Sequence, residues 1–265
     1  MGANDITVSG MIFTFATAVL SLIIYKITSA GRYKELLISA GRMSVQLSLV
    51  GLYLTALFKY NHPAATFGYI LFMMAAANYS VLKNSGLRLK MFIYTFPAIL
   101  ISIGAILAYF MILVFKPTPV YDARYVIPIS GMLLGNSMNR TIITLERFYS
   151  SVKQDEDGLS ALLAMGATVN EATANYLKKA YLAGLGPVLA NMATMGLVSL
   201  PGMMTGQILG GSDPMVAIKY QIAIIFAIYI SSDLASLLCI RFSMSRGFTS
   251  YGFLNLNIFK KYSDI

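Results

Sequence analysis

The residues with chemistry to account for are the polar side chains that interrupt the apolar runs of this chain. Asn136 and Asn139 stand three apart, so on a helix they share one face, and lipid would leave both amides without hydrogen-bond partners. That face therefore points to protein or to a cavity. Gln46, Asn78 and Asn191 are further amides inside apolar runs and join them as candidate pathway residues. For each of the five, an interhelical hydrogen bond is the plainer alternative to substrate contact. A charge at mid-bilayer costs about 2.5–3.5 kcal/mol on the insertion scale and is a functional suspect. Arg140 and Asp233 lie far enough along their runs to reach the inner boundary, so neither is read as a true mid-span charge.

Other chemistries are excluded. The dipeptide Gly-Lys never occurs, so no G-x-x-x-x-G-K-[ST] loop can cradle a phosphate and the chain carries no ATP site or other cofactor site of its own. It has no His-Glu zinc pattern and no G-x-S-x-G elbow, and no catalytic residue is assigned. The lone Cys239 forbids an intramolecular disulfide, and the lone His62 cannot build a histidine metal cluster. Met73–Met74 and Met203–Met204 are neighbours pointing about 100° apart, poor chelates that read as packing. Metal ligands stay unassigned.

The elements that must position these residues follow from composition. The 265 residues are 57% hydrophobic and 12% charged, and mean hydropathy is +0.68, more apolar surface than a water-soluble fold can cover. The net charge of +9 is dispersed between apolar runs, a topology signal and not a nucleic-acid patch. The start MGANDITVSG lacks Lys and Arg and carries Asp5, so the first apolar run is expected to be retained. Seven runs approach the length of a membrane span: residues 6–27, 43–58, 65–82, 91–115, 125–148, 184–210 and 214–240. The second is short unless Arg42 snorkels, and the sixth reads as broken by Pro187 and Pro201. Outer loops KYNHPAA, KPTPVYD and GGSDP are short, and Asp213 is placed to cap a helix opened by Pro214. With the N-terminus outside, sixteen of the twenty Lys and Arg fall on the inner side. The expectation is an all-α polytopic membrane protein with about seven transmembrane helices, N-out and C-in. Gly131 and Gly135, and Gly202, Gly206 and Gly210, have the spacing of close helix packing, beside Pro128, Pro187 and Pro201 whose freed carbonyls need new partners.

Between residues 151 and 183 runs a long polar segment, expected in the cytosol. Asp155, Glu156 and Asp157 precede Leu159, Leu162, Leu163 and Met165, which puts acids at the positive end of a short amphipathic helix. Gly166 ends that helix, and Thr168 with Glu171 three residues on has the reciprocal capping pattern that opens another. Two helices meeting at a glycine offer a docking element to a soluble protein, with Leu159, Leu162, Leu163, Met165, Gly166, Thr168 and Glu171 as its coupling residues.

Four strings carry a resemblance: GRMSVQLSLVGLYL at 41–54, IPISGMLLGNSMN at 127–139, LSALLAMGAT at 159–168 and GLVSLPGMMTGQILGGSDPMVAIKYQI at 196–222. Together they resemble the FetB-like permease family, membrane subunits of small ABC transporters, over nearly the whole chain. The segment around Gly166 also looks like a loose version of the coupling loop of ABC importers. The resemblance implies a separately encoded cytosolic ATPase that brings ATP and Mg, and a permease homodimer in the cell membrane. It also implies export of a metal ion such as iron, with a nucleotide sugar as the alternative cargo suggested by a plant branch. A partner-independent secondary carrier is the competing class, disfavoured by the lack of intramembrane acids. The implied plan is a single permease domain over 1–265: five spans in 1–150, coupling helices in 151–183, two spans in 184–241 and a cytosolic tail in 242–265.

Overall fold

The computed structural model describes residues 7–27, 33–198 and 200–260. Asp5, Arg32 and Lys261, which entered the reading of the N-terminus and the charge balance, lie outside the described residues, as does the side chain of Lys26. In chain order the helices are α1 (Val8–Ile27), α2 (Tyr33–Tyr60), α3 (Pro63–Asn84), α4 (Phe92–Tyr109) continued by a π-helical turn (Phe110–Phe115), α5 (Ala123–Gln154), α6 (Glu156–Ala164), α7 (Val169–Thr194), α8 (Gly202–Leu209) and α9 (Pro214–Gly247). Among the described residues there is no strand, only the isolated bridges Leu87–Phe259 and Phe248–Leu254.

Four helical stretches are long and apolar enough to cross a membrane by length and composition: Lys34–Tyr60, Pro63–Asn84, Leu89–Phe115 and Pro214–Gly247. A shorter apolar run, Val8–Ser21, lies in α1. The second span needs no snorkelling arginine, because α2 starts ten residues before Met43, at Tyr33. The largest correction concerns the expected sixth span at 184–210. No single helix covers it. The helix opened by Thr168 runs on through Pro187 to Thr194, so the second coupling helix and the first half of that span are one rod of 26 residues. At 1.5 Å per residue the rod is about 39 Å long. The chain then turns at Gly196, whose φ of +86° suits glycine. Pro201 opens α8, which at eight residues is too short to cross a bilayer.

Local sequence explains the helix starts. Asp213 accepts hydrogen bonds from the Met215 and Val216 amides at 2.8 and 3.3 Å, with Pro214 at the first helical position of α9. Asp122 caps α5 through the Arg124 amide, and Asn61 Oδ1 accepts from the Ala123 amide at 3.1 Å, tying the turn between α2 and α3 to the same helix start.

The core lies where α9 packs on α4 and α5, and α5 packs on α3 and α7. Val81, Leu82, Ile103, Leu133 and Leu145 are fully buried there. Small hydroxyls let these helices approach: Ser137 lies 3.3 and 3.2 Å from Ser231 and Ser232, and Tyr149 donates to Ser243 at 2.7 Å. Helix α7 lies against α5 at Gly184, where a Cβ would strike the Thr144 hydroxyl and come within 3.2 Å of Arg140 Cγ. Of the glycines singled out by spacing, a Cβ on Gly131 would lie 3.3 Å from Met73 Cε, whereas one on Gly135, Gly202 or Gly206 would meet nothing within 4 Å, and one on Gly210 only the backbone of Gly206 and Gln207. Spacing alone does not say which glycines have a neighbour.

The expected C-terminal tail is shorter, and folded. Helix α9 continues to Gly247, and the chain then crosses the end of the bundle with Phe248, Leu254 and Ile258 buried. Ile258 O accepts from the Arg88 amide at 2.7 Å, and Lys260 donates to Lys83 O at 2.7 Å. Gly252, at φ +85°, sits where a Cβ would meet Leu163 and Val169. This strap joins the turn after α3 to the junction of α6 and α7.

Candidate functional site

Between α5, α7, α8 and α9 lies a cavity of about 370 Å³. Helix α5 brings Asn136, Asn139 and Arg140; α7 brings Gly184, Pro187 and Asn191; Pro201 and Gly202 close one side; α9 presents Gln221, Ile225, Tyr229 and Ser232. The positions contributed by α9 recur at three and four residues, so one face of that helix forms a wall. Three of the five candidate amides, Asn136, Asn139 and Asn191, are brought together here. Asn78 is not among them. It is fully buried between α3 and α4, accepting from the Thr95 hydroxyl at 2.7 Å and donating to Phe92 O at 3.3 Å, and so acts as an interhelical pin. Gln46 sits exposed on α2 and does not line the cavity.

Sequence reasoning missed the roles of five residues. Gln221, an amide inside an apolar run, carried the same signal as the asparagines that were selected. The other four are an ion pair and its aromatic cover. Arg140 does not snorkel to a boundary: it is 2% exposed and paired with Asp233. Asp233 Oδ1 also accepts from the Tyr181 hydroxyl at 2.9 Å. The guanidinium lies 4.9 Å from the Tyr181 ring centroid and 5.9 Å from that of Tyr229, within cation–π range. Pairing offsets the desolvation cost of burying the two charges, and removal of either partner alone would leave a buried charge uncompensated. No residue lining the cavity is Asp, Glu, His or Cys; its fixed charge is the arginine. With its guanidinium neutralised by Asp233, the wall offers a cation no carboxylate, and its amide and guanidinium N–H groups suit a solute with hydrogen-bonding oxygens.

At the far end of α7 is the junction seen in the polar segment. Asp155 joins α5 to α6, accepting from the Gly158 amide at 3.2 Å and from the Tyr176 hydroxyl at 2.8 Å. Burial, reinforced by that carboxylate, pushes the Tyr176 hydroxyl up to about 12. Gly166 has φ +92°, the left-handed geometry expected after a helix end. The capping box is complete: the Glu171 amide donates to Thr168 Oγ1 at 3.3 Å, and the Thr168 amide to Glu171 Oε2 at 2.8 Å. The Thr168 hydroxyl, which also donates to that carboxylate, and then the amide hold Glu171 below its ordinary carboxyl range. The apolar set divides. Leu159 is buried and anchors α6 in the core, Leu163 is half-buried beneath the strap, and Leu162 and Met165 are exposed. Arg241 ties α9 to the start of α7 by donating to Asn170 Oδ1 at 2.6 Å.

Four helical stretches of spanning length and apolar composition, one of which, α9, also walls the cavity, define a multi-pass membrane protein. Residues 8–248 match the family described as "Uncharacterised protein family (UPF0014)", and the chain belongs to that family. It is 35% identical over 231 residues to the UPF0014 membrane protein YjkA of Bacillus subtilis, covering 87% of this chain and 90% of that one. It is 31% identical over 238 residues, 90% and 91% of the two chains, to the probable iron export permease protein FetB of Escherichia coli. To the protein ALUMINUM SENSITIVE 3 of Arabidopsis thaliana it is 33% identical over 209 residues, 77% and 76% of the two chains. No solved structure matches the chain.

Proposed function

We propose that this chain is the permease subunit of an ABC-type transporter, exporting a small solute through the cavity and driven by a separate cytosolic ATPase that supplies the ATP and Mg site. The observation that carries this reading is the continuity of α7: one end is the glycine-jointed elbow at Gly166 and Thr168, and the other lines the cavity with Gly184, Pro187 and Asn191. A motor docked on the exposed Leu162 and Met165 would move the cavity wall through a single rigid element. Likeness to a protein named as an iron export permease supports iron as the cargo metal, and likeness to an aluminium-sensitivity protein keeps another small solute, such as a nucleotide sugar, as the alternative. A homodimer is part of the proposal, because Asn136, Asn139 and Asn191 are exposed in the single chain and a second copy would shield from lipid amides that lipid cannot satisfy. The elbow then faces the cytosol and the N-terminus the outside, in accord with the charge balance.

The test is co-purification with the cognate ATPase and solute-stimulated hydrolysis. A β-branched residue at left-handed Gly166 costs about 1–2 kcal/mol and re-aims α6. Gly166→Val should therefore keep the subunits together and abolish stimulation, and Leu162→Asp should weaken their association. Wild-type behaviour of both variants would reduce the elbow to a solvated loop.

A further inference from the structure

Two buried polar side chains line the cavity without a protein partner for all of their atoms. Arg140 Nε and Nη1 find no acceptor, and Gln221 Oε1, on a residue 7% exposed, finds no donor. Arg140 has donors and no acceptors, so its free N–H groups take an acceptor oxygen, and its positive charge favours an anionic one. Buried donors left in this state are rare and call for a group supplied from outside the fold. Asp233 does not fill the need: it lies outside the cavity wall, and the oxygen it gives to Arg140 also accepts from Tyr181.

We propose that the cavity grips its cargo by an anionic oxygen group, a carboxylate or phosphate-like oxyanion presented to Arg140, so that a transported metal travels as an anionic chelate and not as a bare ion. This deepens the permease reading and rests on it. Guanidinium is weakly hydrated and its planar donors match such oxygens, which makes it suited to a partly desolvated site. Asn136, Asn139 and Asn191 can both donate and accept around the remainder of the solute. A cavity of about 370 Å³ suits a small polyoxygenated molecule better than a lone ion. Among the described residues, no group of three or more His, Cys, Asp or Glu could hold a metal directly. The thioethers of Met132, Met192, Met195 and Met203 line the same walls and are the rival, because they suit a soft monovalent cation. The wall they share holds no carboxylate, imidazole or thiolate to complete such a site.

The experiment is equilibrium binding to the purified full-length permease without its ATPase. Labelled citrate is the probe, and inorganic phosphate, ferric citrate, ferrous ion and silver(I) are competitors or direct ligands. Citrate should bind saturably and be displaced by phosphate, while free ferrous and silver ions should not bind. Arg140→Gln/Asp233→Asn removes both charges together and should weaken citrate at least tenfold with an unchanged melting profile. Arg140→Lys keeps the pair with Asp233 and should weaken it several-fold, so the proposal stays testable if the double variant folds poorly. Binding of both free and ferric citrate assigns recognition to the anion itself; binding of ferric citrate alone assigns it to the chelate; both support the proposal. Saturable ferrous or silver binding that survives or strengthens in the double variant overturns it, as does failure of every oxyanion to bind wild-type protein. Intact oxyanion binding without solute-stimulated hydrolysis would instead overturn the ATPase-driven reading.

Discussion

Asn78 and Asn136 are the same amide in similar apolar runs, and the structure gives them different work. Asn78 has its carbonyl and amide groups engaged by Thr95 and Phe92, with no exposed surface. Asn136 donates to Met132 O at 2.9 Å in its own helix and leaves its carbonyl oxygen on the cavity. Asn78→Leu should therefore remove both interhelical hydrogen bonds, leaving the Thr95 hydroxyl only the Met91 carbonyl of its own helix, and cost about 1–3 kcal/mol, read as a lowered melting temperature in detergent. Asn136→Leu and Asn139→Leu should leave melting and membrane insertion near wild type and lower transport. Equal loss of expression and activity in all three would assign the whole set to packing. The shared face of Asn136 and Asn139 was legible because three-residue spacing is a local property. The role of Asn78 was not, because its partners come from a different helix and no spacing announces them.

Element boundaries were legible wherever a cap carried them. Asp213 with Pro214, Gly166, and Thr168 with Glu171 all stand where the sequence puts them, since each closes hydrogen bonds within one turn. The continuity of α7 was not legible. Its first half is polar and its second half apolar, so a reading by hydropathy divides it into two elements, and Pro187 suggests a break that the helix tolerates. The capping box makes the elbow pH-sensitive. The Glu171 carboxyl is held below the ordinary 4.5 by its hydrogen bonds with Thr168, chiefly the side-chain one. Its contribution is present above the unfolded value and is lost as pH falls through the lowered folded value. A nitroxide attached through Ala174→Cys, on the exposed face of α7, should grow more mobile as pH falls below 4.5. In Glu171→Gln the label should be mobile already and indifferent to pH over that range. Acid-induced mobility of equal size in both would place its origin elsewhere.

At the scale of the molecule, the polar face and the cavity are linked along α7 and tied further by Arg241 and the C-terminal strap. Transmission along α7 can be separated from what happens at its two ends. Lys179 is exposed and lies between the elbow and Gly184, so replacing it removes no buried contact. Proline there would remove one helical hydrogen bond and clash with the carbonyl of Asn175, a cost of about 3 kcal/mol that kinks or breaks the rod at that point. Leu162, Met165 and the capping box would still be offered to the ATPase, and Asn136, Asn139, Arg140 and Gln221 would still line the cavity. Lys179→Pro should accordingly retain co-purification with the ATPase and retain solute binding, and lose solute stimulation of hydrolysis. Lys179→Ala, which deletes the charge and keeps the helix, should behave as wild type. If Lys179→Pro keeps full stimulation, force does not pass along α7 and the strap or α9 must carry it. If Lys179→Ala fails as well, the lysine itself touches the motor and the rod is not what was tested.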